Sequence, residues 1–260
     1  MEKPNHFARA ADIWDVLCDR AAQKETITYG ELGERVGVHP RALRFALDPV
    51  QAYCLDEGLP PLTILARDIN GQLGGGFIAW DPARRDEGAA QVFAYPWAQL
   101  ENPLAVWRSG ATMDDLVDEI VSAPERAEEV FARIRVRGPQ QDVFRASLIR
   151  IYDGACAISG SSISEGLEAS HIVGWAEATT TEAFSLQNGI LMQAWYHRLF
   201  DARLFDIDDD YYVRVPEQLL SSAAPADRAA LRLVADRRIS LPTRPKFWPS
   251  IELLRRRRAP

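Results

Sequence analysis

The chain has 260 residues, a formal net charge of −7, and is 47% hydrophobic and 26% charged. That length is ample for a buried core and for two ordinary domains, and the composition is that of a globular chain rather than a disordered or fibrous one. No run of about eighteen apolar residues occurs, which excludes a hydrophobic spanning segment, and MEKPNHFARAADIWD lacks the apolar core of a secretory signal. Residence in the cytoplasm, with no membrane partner, is therefore the expectation.

The first predicted element is an amphipathic helix over FARAADIWDVLCDRAAQ, with Ile13, Leu17 and Ala21 at four-residue spacing. TITYGELGERVGVHPRALRFALDPVQAYCLDEG then reads as a strand-like entry and two helices, punctuated by Gly37 and Pro40. In PLTILARDINGQLGGGFIAW, β-favouring residues flank an Asn-Gly, which predicts a hairpin. Three helices and a hairpin are the order of a winged helix. The polar stretch DPARRDEGAAQ at 81 to 91 reads as a loop or boundary.

A helical connector follows. Thr112 and Asp115 suit its start, and Pro124 should break or kink it. Arginine then concentrates in RIRVRGPQQDVFRASLIR, 133 to 150, with five arginines against one acid, Asp142. Alternation in RIRVR places Arg133, Arg135 and Arg137 on one face of an extended strand. With Arg145 they form a candidate phosphate-binding face, since nucleic-acid binding needs only a local basic surface despite the net charge. The same residues also suit a plain solvated edge strand. DVFRASLIRIY is a further helix; beyond it come a Cys/Gly turn, short strands, strand-like YYVRV, a helix near 225 to 236, and a Pro-rich tail ending in Arg255–Arg258.

Cys18, Cys54 and Cys156 are widely spaced and never paired as CxxC, which argues against a disulfide framework and against a cysteine-built zinc site. Of four histidines, two fall in LEASHIVGWAEATTTEAFSLQNGILMQAWYHRLFD. LEASHIVGW reads as a short strand displaying His171 beside Ser170. From Asn188 the chain is expected to turn into a helix that carries His197 and Asp201 at i and i+4 on one face. Such a pair can grip a divalent cation through nitrogen and oxygen, and a neutral imidazole opposite can accept a proton near neutral pH. Cation and base together suit phosphodiester hydrolysis.

The order His, Asn, then His nine residues later, between FRASLIRIYDGACAISG and NGILMQAWYHRLFDARLF, resembles the HNH nucleases of the ββα-metal superfamily, in the form common among bacterial restriction-type endonucleases. The resemblance covers roughly 140 to 215. It implies that His171 is the general base, that Asn188 braces the loop between strand and helix, and that His197 binds metal, with Asp201 as a further ligand. Where many relatives carry Asp or His as a ligand directly before the base, this chain has Ser170. Where many carry CxxC pairs for a structural zinc, it has Cys156/Ser159 and Gln193/Tyr196. No structural zinc is expected, and Ile172, Leu191 and Leu199 are the candidates to hold the finger together.

TITYGELGERVGVHPRALRFAL and GLPPLTILARDINGQLGGGF, about 26 to 77, resemble the DNA-binding part of the alkylguanine-DNA alkyltransferases and alkyltransferase-like proteins. The nucleophile motif Pro-Cys-His-Arg of that family is replaced by PPLTIL, so alkyl transfer is not implied. A grip on DNA is, with Tyr29, Arg41 and Arg44 as contacts and a base turned out for inspection.

The combined expectation is an α+β chain: a winged-helix-like domain over 1–90, a helical connector over 91–139, and a ββα-metal domain over 140–260 with a basic C-terminal tail. The expected activity is Mg²⁺- or Mn²⁺-dependent cleavage of double-stranded DNA, with base modification as a feature it can read. Double-strand cutting by one finger per chain implies a homodimer. The rival readings are a DNA-binding regulator whose finger no longer cuts and a nuclease directed at RNA.

Overall fold

The computed structural model describes residues 6–259. These fall into two compact units, one running to Asp115 and including Ala132–Gln141, the other made of Leu116–Phe131 and the chain from Asp142 onward.

In the first unit, α1 (His6–Gln23) buries Ile13, Leu17 and Ala21 as their spacing predicts. Trp14 of this helix meets Tyr53 and Trp97 edge-on, at centroid distances of 5.5 and 5.7 Å. A two-residue strand β1 (Ile27–Thr28) leads into α2 (Tyr29–Val36). Thr28 and Glu31 close a capping box there, satisfying amides that the first helical turn would otherwise leave unpaired. The helix stops at Gly37, whose φ of 65° is left-handed and suits a residue without Cβ. Next comes α3 (Leu43–Asp56).

The predicted hairpin does not form. β2 (Ala66–Arg67) pairs in parallel with β1, in the register Ile27↔Ala66. The Asn-Gly lies in a turn organised by Asp68, whose Oδ1 accepts from the amides of Asn70 and Gln72 at 2.8 and 2.7 Å. An aspartate side chain that captures two amides of its own turn competes with strand pairing. The stretch expected to be a loop at 81 to 91 instead enters α4 (Arg85–Ala94), with Asp86 and Glu87 in its first turn, where the helix dipole favours them. The short α5 (Ala105–Arg108) is tied to α1: Arg108 pairs with Asp12 and Asp15, and the Asn102 side chain donates to the Ala11 carbonyl at 2.8 Å.

The helix expected from Thr112 forms as α6 (Met113–Ser122), breaks at Pro124 and resumes as α7 (Ala127–Arg133). Thr112 and Asp115 cap the first of these reciprocally. RIRVR is not a strand. It runs from the end of α7 into α8 (Arg137–Ile151), and its alternation survives only as buried Ile134 and Val136 between exposed arginines.

The second unit is built on an antiparallel pair, β3 (Leu167–His171) and β4 (Gly189–Gln193), in the register Leu167↔Gln193 to His171↔Gly189. The long excursion between them carries α9 (Thr180–Phe184). A strand, not the expected helix, thus follows Asn188, because Ile190, Leu191 and Met192 are all buried as a continuous apolar run. The helix starts later as α10 (Ala194–Asp201), which completes a ββα arrangement. Ile172 and Leu191 are buried as expected, but α10 is anchored by Tyr196 and Phe200, while Leu199 is only half-buried. Beyond it lie β5 (Asp206–Ile207), paired antiparallel with β6 (Val213–Arg214), then α11 (Glu217–Ser222), α12 (Pro225–Val234) and α13 (Ile251–Arg258). The C-terminal arginines are therefore helical, with Ser250 capping the first turn. Among the described residues no helix is long and apolar enough to cross a membrane.

Candidate active site

His171 ends β3, opposite Gly189. A Cβ on Gly189 would lie 2.8 Å from Leu148 Cδ1 and Phe144 Cζ of α8. Glycine at this place therefore lets α8 come close, and it brings the Phe144 ring flat against the His171 imidazole at a centroid distance of 4.4 Å and 6°. Trp175 meets the imidazole edge-on at 5.9 Å. His171 Nε2 lies 3.3 Å from the Ala183 carbonyl of α9. A carbonyl can only accept, so Nε2 carries the proton and Nδ1 keeps a free lone pair. Burial lowers the pKa of this ring below its ordinary 6.5, the Ala183 bond opposes that, and His197 lowers it further while Asp201 raises it. His197 and Asp201 thus act electrostatically on the imidazole that sequence reasoning set opposite them.

Asn188 is fully buried. Its Oδ1 accepts from Val173 N at 2.9 Å, its Nδ2 donates to Val173 O at 3.0 Å, and its own carbonyl accepts from Ile172 N at 2.8 Å. Three bonds to the two residues after His171 pin the chain where it leaves β3. Asn188 thereby joins the start of β4 to the chain just beyond His171.

On α10, His197 Nε2 faces Asp201 Oδ2 at 3.2 Å, the i, i+4 pair read from the sequence. Its Nδ1 meets Glu168 Oε2 of β3 at 2.6 Å. Sequence reasoning missed Glu168, although it stands three residues before His171. A carboxylate on Nδ1 fixes the proton there and leaves the lone pair on the other nitrogen. Nε2 and Asp201 Oδ2 are then two acceptors in apposition, an arrangement that a second proton or a cation resolves. One imidazole nitrogen and one carboxylate oxygen fit a divalent ion whose remaining positions come from water and phosphate. Among the described residues no three His, Cys, Asp or Glu side chains gather into a fuller cage. Ser170 is fully buried and its Oγ has no hydrogen-bond partner.

The slots where the resembled family carries zinc cysteines are joined by other means. Ser159 Oγ donates to Gln193 Oε1 at 2.7 Å, and the amides of Ser159 and Gln193 approach Cys156 Sγ at 3.4 and 3.2 Å.

Arg145 holds the loop that enters β3, donating to the carbonyls of Leu167 and Ser164 at 3.0 and 2.7 Å. Arg135 pairs with Glu101, Arg133 ends α7, and Arg137 begins α8. Arg255 and Arg258 pair with Asp209, and Arg256 with Glu182, so the tail is engaged within its own unit.

In the first unit a cavity of about 510 Å³ is lined by Tyr29, Arg44, Asp48, Gln51, Thr63 and the glycines 74 to 76. Tyr29 OH accepts from Gly74 N at 2.9 Å, and Gln51 bonds both Gly76 O and Ile78 N, so the glycine loop is held as one wall. Thr63 Oγ1 is buried there without a partner. Burial raises the Asp48 pKa, against the Arg44 charge. Arg41 and Arg44 are exposed and form no ion pair among the described residues; the Arg44 guanidinium lies 4.5 Å from the Phe45 ring centroid.

Residues 156–208 match a family model described as HNH endonuclease. The match spans β3, β4 and α10 with all four of His171, Asn188, His197 and Asp201, and it supports an HNH endonuclease domain in the second unit. No curated protein matches the chain.

Proposed function

We propose that the chain is a divalent-metal-dependent DNA endonuclease of restriction type, with cutting in the second unit and DNA reading in the first. The observation that carries this reading is the two imidazoles of the matched segment, near enough that the charge of His197 acts on His171. One ring has Nδ1 free to accept a proton, and the other has Nε2 and a carboxylate turned to one point. In the proposed reaction His171 Nδ1 takes the proton of the water that attacks phosphorus. Asn188 keeps that ring in place, and Glu168 keeps the lone pair of His197 on Nε2. His197 and Asp201 would hold the cation, which when bound lends Lewis-acid charge to the phosphate and the leaving oxygen. The cavity of the first unit is within the ~300–1,000 Å³ range of small-ligand sites, and with exposed Arg41 and Arg44 beside it we assign it to inspection of a base turned out of double-stranded DNA. Two chains acting together would make a double-strand break.

The donor set of only two protein atoms favours one second reading, a DNA-binding regulator that no longer cuts. Plasmid nicking with Mg²⁺ or Mn²⁺ separates the two. The endonuclease reading expects nicking that chelation stops, and a loss of about 10²–10⁴-fold in His171→Ala. Absence of nicking by the wild type on unmodified, 5-methylcytosine and 5-hydroxymethylcytosine DNA alike establishes the regulator. Equal cleavage of RNA sinks the DNA-specific form of the proposal.

A further inference from the structure

We propose that helix α13 is a strut of the candidate active site, and that Arg257 is its positioning residue, tying the strand end that carries His171 to the helix end that carries Asp201. The inference rests on the endonuclease reading for its catalytic meaning, and on geometry alone for the strut.

Arg257 is 7% exposed. Its Nη1 donates to the Ile172 carbonyl at 3.4 Å and its Nη2 to the Phe200 carbonyl, while the guanidinium carbon sits 3.6 Å from the Phe200 ring centroid. Asp206 Oδ1 lies 3.5 Å from Nε. Ile172 follows His171 and Phe200 precedes Asp201, so one planar fork joins the two backbones that present the base and the metal-facing carboxylate. A buried guanidinium is costly unless its donors find acceptors, and here the acceptors are those two carbonyls. Lysine has one point charge on a flexible stem and does not reproduce a two-pronged grip.

A second route reaches the same histidine. Arg256 forms a bidentate pair with Glu182, both contacts at 2.9 Å. Glu182 closes the capping box of α9 with Thr179. The next residue, Ala183, supplies the carbonyl that holds His171 Nε2. Arg255, by contrast, pairs with Asp209, ahead of β6 and on neither route. The arginine run thus divides its work: two side chains converge on the site, and Arg255 does not.

The test uses the full chain, with Arg257→Lys, Arg257→Met and Arg256→Gln, and Arg255→Ala as the control for lost tail charge. Each is measured for single-turnover nicking with Mn²⁺ at saturating protein, DNA Kd, thermal melting, and the NMR Cε1–H resonances of the four histidines. Arg257→Lys is expected to melt cooperatively, bind DNA as the wild type does, and nick roughly 10–10²-fold more slowly, the upper figure being the cost of an ångström-level misplacement. His171 and His197 resonances move in it and His39 does not. Arg256→Gln gives a smaller loss of the same kind, and Arg255→Ala nicks normally. Should Arg257→Met fail to fold, Arg257→Lys and Arg256→Gln decide. The proposal is overturned by a folded Arg257→Lys with wild-type rate and unmoved His171 and His197 signals, or by an Arg255→Ala loss equal to that of Arg257→Lys. If the wild type nicks nothing, the endonuclease reading falls, and the resonances alone decide whether the strut exists.

Discussion

Replacing Asn188 tests the brace behind the loop that follows His171. Asn188→Ala leaves Val173 N–H and C=O buried without their side-chain partners. Each unsatisfied group costs about 1–3 kcal/mol, so the sum is roughly 2–6 kcal/mol, a large part of a domain's total of about 5–15 kcal/mol. Asn188→Asp keeps the acceptor for Val173 N but sets a second oxygen against Val173 O, now 3.0 Å from the amide nitrogen. A protonated acid restores the missing donor, and burial favours that neutral form, so its folded-state pKa is raised. The sign follows: the stability of Asn188→Asp is near wild type below the unfolded value of about 3.9 and falls as pH rises, by about 1.4 kcal/mol per unit, until the folded-state pKa is passed. Urea unfolding of wild type and both variants between about pH 4 and pH 8 reads this directly. The reasoning is refuted if Asn188→Ala costs less than about 0.5 kcal/mol, the range of an uninvolved surface site, or if the Asn188→Asp deficit is flat with pH.

Glu182 is held at about 2, chiefly by the Arg256 hydrogen bonds and then by the Thr179 amide, so its contribution is complete above 4.5 and lost as pH falls toward 2. Melting curves of Glu182→Gln and wild type should differ near neutrality and converge in acid; a constant difference would contradict the assignment. Gly189→Ala should lower stability by about 1–3 kcal/mol through overpacking, because its Cβ meets Phe144 and Leu148; an unchanged melting temperature would show that α8 yields freely. If Arg41 and Arg44 contact phosphates, the double alanine variant should reduce the slope of log K against log salt by about 1.8, at ~0.9 per contact, while Arg255→Ala leaves it unchanged. The opposite pattern would assign DNA binding to the tail.

Local rules carried the sequence reading where the decisive partner lay nearby. The α1 core positions, the Thr112–Asp115 cap and the Pro124 break each depend on residues within a few positions of one another. The i, i+4 pair of His197 and Asp201 was legible for the same reason. Failures came where two local signals competed or the partner was remote. The Asn-Gly signal lost to Asp68, which was itself visible two residues upstream. In α4, Asp86 and Glu87 marked a helix start that the polar composition masked. Glu168 offered no periodic signal, because its partner stands 29 residues away and meets it only once β3 and α10 are packed.

Charge was the least legible property, because a guanidinium is equally suited to a phosphate and to a carboxylate of its own chain. Counting arginines nominated 133–150 as a nucleic-acid surface and left the role of 255–258 open, yet several side chains of both runs are committed internally: Arg145 to two loop carbonyls, Arg150 to Asp118, Arg256 to Glu182, Arg257 to the backbone around the site. An acidic chain, at −7, supplies enough carboxylates to neutralise much of its arginine in place. A cation available to a ligand is then one that folding leaves exposed beside a concave surface; in the first unit Arg41 and Arg44 are exposed, and Arg44 lines the cavity together with Asp48. A local excess of positive charge in sequence is thus a weak guide to a DNA surface in a net-acidic protein. Exposure without an internal acid is the stronger one, and only the folded chain reveals it.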